Sequence, residues 1–439
     1  MNSVNGIPFP DSYWLASRRY GVEDKPLTQD IDTDTLIIGG GFTGLSSAYH
    51  LARKGQRFAL VEAYDFGWGA SGRTGGMLPP RYKKGFSCIA KLYGNETAVW
   101  LHALILEAID TVEQIVSSEA IDCDFARTGQ ITAAHSAEAL SGLQADYEWA
   151  RTVIQDTGAT ILNQDEVREE IGGGNYPGGW LDQRGAGIHP LNYSWGLAEK
   201  LRQQGAELYN RTKVLGLKET ADGILVETDG GRISAKRVII ATNAYTDTVH
   251  FAPGELENRI VAVASSIVAT APLGAIADQM VKNRRMIADT RRIMSYFRVS
   301  PDNRLIFGGR GDLTGRKDSP EVYQEIEKRM QETFPGIDFK VEYRWFGKVA
   351  VSTDDFPHIG KLSDRVIYAM GYGGRGVALA NLLGKYAAAL AAGENIQLGP
   401  MTDNPFAKFP FHAFRMLGMQ LVAGWWRYLD NRDEKTLRS

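Results

Sequence analysis

Short apolar runs alternate along the chain with longer stretches in which apolar residues recur every three or four positions. The first run, residues 36–38, precedes a predicted helix whose apolar positions are Leu45, Ala48, Tyr49 and Ala52. A second apolar run, residues 58–61, follows and ends at Glu62. Because the runs have strand length and the stretch between them has helical spacing, this order predicts a βαβ unit with parallel strands.

The same alternation returns further along the chain. Buried strands are predicted at residues 237–245 and 366–370, and a helix at residues 376–392. Between the βαβ unit and residue 366, helical patterns are predicted at residues 98–118, 137–157, 165–171 and 321–333. Strand patterns are predicted in the same part of the chain at residues 263–270, 294–299 and 305–308. A chain of 439 residues usually divides, so the pattern predicts an α/β protein with two domains.

A glycine motif lies between the first strand and the first helix. Gly39, Gly41 and Gly44 have G-x-G-x-x-G spacing, which permits a tight turn, a close approach of the backbone to a pyrophosphate and close helix–strand packing. Glu62 ends the second strand, where such units carry the acid that binds a ribose. The motif therefore favours a dinucleotide site without a 2′-phosphate, over the alternative of a glycine-rich turn that binds nothing.

The residues after Glu62 distinguish NAD from FAD. Residues 66–77, Phe-Gly-Trp-Gly-Ala-Ser-Gly-Arg-Thr-Gly-Gly-Met, combine little steric bulk with many N–H groups, which suits a ligand extending past the pyrophosphate. This segment resembles the flavin loop of the D-amino-acid oxidase superfamily, in particular the branch that contains gamma-glutamylputrescine oxidase and, more distantly, the glycine and sarcosine oxidases.

The resemblance implies FAD as cofactor. The residues expected to bind the cofactor lie in the glycine motif, at the end of the second strand, in the flavin loop and at four later places: Gly39, Gly41, Phe42, Thr43, Gly44, Glu62, Ala63, Trp68, Gly69, Ala70, Ser71, Gly72, Arg73, Gly75, Gly76, Met77, Val214, Ala241, Thr242, Gly347, Gly374, Arg375, Gly376 and Val377. Sarcosine oxidase-like relatives attach flavin through a cysteine near residues 345–360, where this chain has none. Non-covalent binding is therefore expected.

Four residues are candidates for catalysis: Lys348, Arg375, Tyr296 and Arg298. Arg375 follows two glycines at a predicted helix start, where the family usually has histidine; a surface arginine is the alternative. Tyr296 and Arg298 share one face of a strand, which in the family faces the flavin; a solvated strand face is the alternative. Lys348 is expected to orient a substrate acid or assist oxygen reduction, or else to face solvent.

One position indicates the substrate class. Glycine oxidase-like enzymes hold the α-carboxylate with an arginine two residues after the glycine that corresponds to Gly347, and this chain has Val349 there. The resemblance then implies oxidation of a C–N bond in a small amine or amino-acid derivative, with hydride transfer to flavin N5, hydrolysis of the imine, and O2 as acceptor. A dehydrogenase that passes electrons to a quinone or carrier, and a flavin-binding assembly subunit, remain alternatives.

The resemblance also implies a division of the chain. A three-layer, Rossmann-type FAD-binding domain is expected from residues 1–90, 175–255 and 345–400, and a mixed-sheet α+β substrate domain from residues 91–174 and 256–344. Residues 401–439 are predicted to form an amphipathic helical tail. Three interpretations of this tail remain open: contact with a membrane interface, contact with a partner, and packing on its own domain, which we favour.

Composition excludes several functions. The net charge of −3, without a basic run, gives no reason to expect nucleic acid. Cys88 and Cys123 have neither metal-ligand nor disulfide-framework spacing, which favours a reducing compartment. The chain start lacks an export pattern, and the longest low-charge run, residues 261–277, is interrupted and too short to span a bilayer. A cytoplasmic location is expected, with peripheral attachment to the inner face of a membrane as the alternative.

Overall fold

The computed structural model describes residues 9–248, 253–309, 319–410 and 412–438. Two eight-stranded sheets dominate these residues, with helices on their faces. The first sheet comprises β1 Ile31–Ile38, β2 Phe58–Val61, β8 Glu207–Tyr209, β9 Val214–Glu219, β10 Ile224–Thr228, β11 Arg232–Ile240, β17 His358–Lys361 and β18 Val366–Met370. The second comprises β4 Gln130–Ala133, β5 Ala159–Asn163, β6 Gly178–Asp182, β12 Val261–Thr270, β13 Met286–Asp289, β14 Ser295–Val299, β15 Leu305–Gly309 and β16 Val341–Val351. A short pair, β3 Met77–Leu78 and β7 Ala186–Gly187, lies apart from both.

The helices vary in length from one turn to 24 residues. They are α1 Tyr13–Ala16, α2 Phe42–Arg53, α3 Phe86–Tyr93, α4 Asn95–Ser118, α5 Ala137–Val153, α6 Gln164–Glu170, α7 Pro190–Gln203, α8 Ile276–Met280, α9 Pro320–Thr333, α10 Gly376–Ala391, α11 Pro400–Asp403 and α12 Arg415–Arg438. In the described part of the chain, no helix has an apolar stretch long enough to cross a bilayer.

The first sheet has the predicted βαβ unit at its centre. β1 pairs in parallel with β2 on one side and with β11 on the other, and β11 pairs in parallel with β18. The residues of β2 and the second half of β1 are fully buried, which explains their continuous apolar runs. The carboxyl ends of β1, β2, β11 and β18 therefore meet at one edge, where open α/β sheets bind ligands.

The second sheet mixes parallel and antiparallel pairs, in the order β16-β12-β15-β14-β13-β4-β6-β5. Its longest pairing joins β12 to β16 over their whole lengths, from Val261 opposite Val351 to Thr270 opposite Val341. The chain enters this sheet in two separate segments. The expected fold class, a Rossmann-type α/β domain beside a mixed-sheet domain, is confirmed.

The strand pairing differs from the expected domain boundaries at two places. β6, residues 178–182, pairs with β4 and β5 in the second sheet, although residues 175–255 were expected in the cofactor domain. β16 likewise belongs wholly to the second sheet and passes the expected boundary at residue 345. The reason is that strand pairing in the second sheet extends beyond the residues at which the sequence pattern suggested a domain boundary. The division into domains otherwise stays a prediction.

The tail forms a helix, α12, but its covered face is not the one with the largest apolar residues. Ala423 is buried, with Met419 and Trp426 partly buried, against Val261 and Val263 of β12. The carboxylates of Asp430 and Asp433 are also turned inward. Asp430 thus lies on the covered side of the helix, where its carboxylate forms an ion pair with Arg292 of the protein body (Oδ1 to Nη1, 3.0 Å).

Candidate active site

The turn between β1 and α2 is built for close approach of a ligand. Gly39 has φ +110, and a Cβ on it would lie 2.8 Å from the carbonyl oxygen of Ala241. A Cβ at Gly44 would overlap the carbonyl oxygen of Gly39, so this glycine lets helix and strand pack. A Cβ at Gly41 would project to within 2.8 Å of the Ser71 hydroxyl and fill the space between turn and flavin loop. The cradle thus fits a pyrophosphate.

Glu62 lies beside this turn at the end of β2. Its Oε2 accepts a hydrogen bond from the Gly40 N–H at 2.6 Å, and its Oε1 accepts one from the Tyr64 N–H at 3.0 Å. Burial raises the pKa of the Glu62 carboxyl, and the two amide donors oppose that rise. Glu62 lines the cavity, and its carboxylate oxygens can each accept a further hydrogen bond, which fits ribose hydroxyls.

The flavin loop is held by hydrogen bonds from its own arginine and from two distant tryptophans. The buried Arg73 donates from Nε to the Trp68 carbonyl at 2.7 Å, and its guanidinium lies 4.4 Å from the centre of the Trp68 ring. The indoles of Trp345 and Trp14 donate to the carbonyls of Arg73 and Thr74. The indole N–H of Trp68 is buried in the cavity lining and has no acceptor among the described residues, so it is available to an acceptor on a cofactor.

A second helix starts at the same cavity. After β18, Gly374 takes φ +91 and α10 begins with Arg375 at its N-cap, without a side-chain cap for its first amides. α10 packs on α2: the Ser46 hydroxyl donates to the Asn381 carbonyl at 2.6 Å, and the Tyr372 and Thr43 hydroxyls lie 2.7 Å apart. Both helix N-termini therefore present amide N–H groups and positive dipole ends to one space, which suits an anionic cofactor.

A cavity of about 500 Å³ extends from these helix starts to the second sheet. Its far wall is formed by residues of β4, β12, β13 and β14 and of the turn before β14: Gln130, Ser265, Ala288, Tyr296 and Met294. The Tyr296 hydroxyl lies 2.9 Å from the Ser265 hydroxyl. Its ring fits between Gly75 of the flavin loop and Gly308 of β15, since a Cβ on either glycine would be within 2.9 Å of it. The cavity thus joins the cofactor end to a wall of neutral polar and apolar groups.

Tyr296 and Gln130 determine the charge and the hydrogen-bonding capacity of this wall. Burial raises the pKa of Tyr296 to about 12, so its hydroxyl stays neutral at physiological pH. The Gln130 side chain is 5 % exposed, and its Oε1 has no hydrogen-bond partner in the described part of the chain. A buried acceptor without a donor is costly, and a ligand in the cavity can supply the donor.

Most of the sequence-predicted site residues line this cavity. From the cofactor set these are Gly39, Gly41, Phe42, Thr43, Glu62, Ala63, Trp68, Gly69, Ala70, Ser71, Arg73, Gly75, Met77, Val214, Ala241, Thr242, Gly347, Gly374, Arg375, Gly376 and Val377. Lys348 and Tyr296 line it as well, and so does Val349. The Lys348 ammonium lies 5.2 Å from the centre of the Tyr245 ring. Their contacts with a cofactor or substrate stay predictions.

Arg298 does not line the cavity. It is buried beneath the flavin loop, and its Nη1 donates to the carbonyls of Gly76 and Ile188 at 3.1 and 3.0 Å. Burial lowers its pKa to about 10. The structure therefore does not support the catalytic assignment of Arg298. Strand alternation correctly predicted that Arg298 and Tyr296 share one face of β14, but only Tyr296 lines the cavity. Arg298 instead holds the end of the flavin loop.

Three glycines of the cofactor set also lie outside the cavity lining, namely Gly44, Gly72 and Gly76. A Cβ at Gly72 would lie 2.6 Å from the Gly67 carbonyl, and one at Gly76 would overlap the Ile188 carbonyl. Their role in this structure is backbone packing behind the site. Conversely, sequence reasoning missed Gln130, Ser265 and Tyr372. In the sequence, Gln130 and Ser265 stand out only as polar residues in apolar strands, and Tyr372 only as a tyrosine next to the glycines before α10.

The chain's two cysteines bear on how a flavin is held. Cys88 is exposed and Cys123 is buried, and neither lines the cavity. A thioether from this chain to a cofactor in the cavity is therefore not available, which agrees with the expected non-covalent binding. The hydrogen-bonding groups at the cofactor end, with helix amides and the Trp68 indole as donors and the Glu62 carboxylate as acceptor, fit FAD.

Comparisons with known proteins agree with this fit. Residues 34–390 match the model of the DAO family, described as FAD dependent oxidoreductase. The chain is 32 % identical to gamma-glutamylputrescine oxidoreductase from Escherichia coli (strain K12), over 96 % of this chain and 98 % of that protein. It is 23 % identical to glycine oxidase from Bacillus licheniformis, over 83 % of this chain and 94 % of that enzyme.

Solved structures show the same fold. Glycine oxidase from Geobacillus kaustophilus superimposes with a TM-score of 0.70 and 21 % identity, covering 86 % of this chain and 98 % of that enzyme. L-proline dehydrogenase from P. horikoshii superimposes with a TM-score of 0.69 and 18 % identity, covering 84 % of this chain and 95 % of that enzyme. With the cradle, the flavin loop and the cavity described above, these matches show that the chain is an FAD-dependent oxidoreductase and belongs to the DAO family.

Proposed function

We propose that this enzyme oxidises a C–N bond of a small amine or amino-acid derivative. The observation that carries the proposal is the single cavity that joins the two glycine-rich helix starts to the neutral wall around Tyr296 and Gln130. A substrate on that wall lies next to the expected position of the flavin ring. The similarity to gamma-glutamylputrescine oxidoreductase and to glycine oxidase supports an amine as the group oxidised.

FAD supplies a hydride acceptor for the carbon that bears the neutral amine, and water then hydrolyses the imine product to a carbonyl compound and an amine. The protein's own contribution is binding and orientation. Among the described residues that line the cavity, Glu62 is the only carboxylic acid, and two backbone amides hold it at the cofactor end. The neutral hydroxyls of Tyr296 and Ser265 and the Gln130 amide position the substrate without requiring a general base.

The wall favours substrates other than simple α-amino acids. Val349, where glycine oxidase-like enzymes have a carboxylate-binding arginine, lines the cavity and offers no charge. A larger amine, an N-alkylated amino acid or a γ-glutamyl amine fits this wall better than glycine or sarcosine does. Lys348 also lines the cavity and is the candidate for orienting a more distant acidic group.

We further propose O2 as the electron acceptor, with H2O2 as product, and a cytoplasmic location. Transfer to a quinone or a protein carrier is the second candidate, and its outcome is measured in the same experiment. The third reading, a flavin-binding assembly subunit without activity of its own, predicts bound FAD that no amine reduces.

Anaerobic flavin reduction tests the function. The holoenzyme is mixed with γ-glutamylputrescine, N-methylated amino acids, glycine and sarcosine, and the loss of the visible flavin absorption is followed. We expect fast reduction by one of the larger amines and slow reduction by glycine and sarcosine. Readmission of air distinguishes the acceptors: rapid reoxidation with H2O2 supports an oxidase, and slow reoxidation that a quinone accelerates supports a dehydrogenase.

Gly41→Val is the control for the cofactor, because its side chain fills the pyrophosphate cradle and the protein should be isolated without FAD. Fast reduction by glycine would contradict the substrate class. Stable FAD that no amine or amino acid reduces would contradict the enzyme assignment and favour the assembly subunit.

A further inference from the structure

The outer face of α12 carries an uncovered row of large apolar side chains. Leu417, Leu421, Trp425 and Tyr428 of α12, together with Phe414 directly before its first residue, are spaced by three or four residues and are each 58–69 % exposed. The rings of Trp425 and Tyr428 stack at 5.5 Å. Large exposed apolar residues elsewhere in the described part of the chain are scattered singly, whereas these form one continuous patch. Such a patch on a protein surface marks an interaction site.

The inner face of the same helix fixes its orientation. Ala423 is buried against Val261 and Val263, so the middle of the helix is packed on β12. At its far end, Asp430 accepts hydrogen bonds from the backbone N–H groups of Arg292 and Ile293 at 3.2 and 3.0 Å. The helix therefore cannot rotate to bury the aromatic row without losing these contacts.

The charges of α12 indicate what covers the outer face. The helix has five basic and three acidic residues, and the two carboxylates whose side chains the structure describes, Asp430 and Asp433, are buried and pair with the Arg292 guanidinium. Among the side chains of α12 that the structure describes, Arg427 and Arg432 are charged and exposed, and Arg432 also forms an ion pair with Asp433 (Nη2 to Oδ1, 3.0 Å). The helix thus combines an exposed apolar and aromatic row with a net positive charge, within a molecule whose net charge is −3.

We propose that the outer face of α12 binds to the surface of an anionic lipid bilayer. An amphipathic helix that lies in the membrane interface has an apolar face with Trp, Phe and Leu and a polar face with Lys and Arg. Aromatic residues such as Trp425 and Tyr428 prefer the headgroup level, and arginines near an anionic surface are attracted to it. Because α12 is net basic while the molecule as a whole is net acidic, charge favours this helix for contact with an anionic bilayer. The inference does not rest on the proposed enzyme reaction.

Vesicle co-sedimentation of the holoenzyme tests it. Vesicles of phosphatidylcholine alone are compared with vesicles that also contain phosphatidylglycerol, at low and at high salt. We expect binding to the anionic vesicles that high salt weakens, and little binding to the neutral ones. The double variant Leu421→Ser/Trp425→Ser should lose binding by more than tenfold, and Arg427→Glu by on the order of tenfold.

The matched control lies on β9, where Leu215 is 53 % exposed and Lys218 is also exposed. Leu215→Ser and Lys218→Glu make the same chemical changes on another surface and should leave vesicle binding unchanged. Bound FAD, read from its absorption, shows that every variant is folded. Equal binding of the α12 and β9 variants would overturn the proposal, as would a protein that binds neither kind of vesicle. A dimer in light scattering that only the α12 variants disrupt would assign the face to a second copy of the chain instead.

Discussion

Gln130 lies in the wall of the substrate cavity, and its Oε1 accepts no hydrogen bond from the residues that the structure describes. We expect Gln130→Met, which keeps the length of the side chain and removes its acceptor, to raise KM for the best substrate about tenfold. The reason is that a hydrogen bond of about 1–1.5 kcal/mol to the substrate is lost. Steady-state kinetics with saturating FAD measures it, and kcat and FAD content should change little. An unchanged KM across the amine panel would show that Oε1 binds no substrate donor.

Arg298 is expected to act on the cofactor through the loop rather than on the substrate. Arg298→Met removes the donor to the Gly76 and Ile188 carbonyls and frees the end of the flavin loop. We expect FAD to bind about tenfold more weakly, because hydrogen bonds from a charged group contribute about 1.5–3 kcal/mol. Fluorescence titration of the apoprotein with FAD measures the change. Tyr296→Phe is the comparison: it should alter KM or kcat and leave FAD affinity intact. The opposite result for the pair would restore Arg298 as a substrate ligand.

Arg375 is expected to lie beside the part of the flavin ring that gains negative charge on reduction. Arg375→Met should then lower the midpoint potential by roughly 30–60 mV while FAD remains bound, since a charge-assisted contact of about 1.5–3 kcal/mol is removed. Arg375→Lys should recover part of the shift, because it retains the charge without the planar guanidinium. Potentiometric titration decides the matter, and an unchanged midpoint in Arg375→Met would place the side chain away from the ring.

At the scale of elements, the packing of α10 on α2 controls where the two helix starts lie. A Cβ at Gly384 would lie 2.6 Å from the Thr43 carbonyl oxygen and 2.7 Å from the Ser46 Cβ. Gly384→Ala should therefore destabilise the protein by about 1–3 kcal/mol and reduce FAD retention.

Gly142→Ala is the matched control, because Gly142 lies in the exposed part of helix α5 with nothing within 4 Å of a new Cβ. This change should stabilise by about 0.5–1 kcal/mol, as alanine does in an open helix. Thermal unfolding of the two variants should thus move in opposite directions. A shift of the same sign in both would indicate that α10 can move away from α2 without cost.

The parts of the site that consist of consecutive residues were predictable from the sequence. The glycine motif, Glu62 and the flavin loop depend on consecutive residues, and the order of strand, turn and helix was enough to identify them. Gln130 was not predictable, since β4 reaches the cavity only through its pairing with β13 and β6, which lie far along the chain. α12 was predicted as amphipathic, but a periodic pattern cannot show that Asp430 turns inward to Arg292.

At the scale of the whole molecule, buried histidines make stability depend on pH. His189 caps helix α7: its Nδ1 accepts from the Asn192 N–H at 3.1 Å, which requires the neutral ring. Burial, with the charges of Arg19 and Arg298, lowers its pKa from 6.5 to about 3, and Asp302 opposes this. The pKa of His50 is likewise lowered, to about 4, by burial.

The direction of this pH dependence follows from the pKa of each histidine in the unfolded chain and in the folded protein. Between pH 6.5 and the lowered pKa, the unfolded chain binds a proton that the folded protein does not, so stability falls as the pH falls. Each histidine contributes up to about 1.4 kcal/mol per pH unit. His189→Asn retains a helix cap without a titrating group and should make the slope shallower by that amount. Unfolding midpoints followed by circular dichroism between pH 4 and 6.5 measure it, and identical slopes would exclude His189 as a contributor.

The position of β1 at the middle of the first sheet has a consequence for biosynthesis. The nascent chain presents β1, α2 and β2 first, but the neighbour of β1 on its other side, β11, emerges much later, and α10 later still. Until then, the glycine turn lacks the second helix start and the Ala241 backbone that enclose it. We therefore expect FAD to bind only after α10 has been synthesised, and the apolar edge of β1 to stay unpaired on one side until β11 has been made.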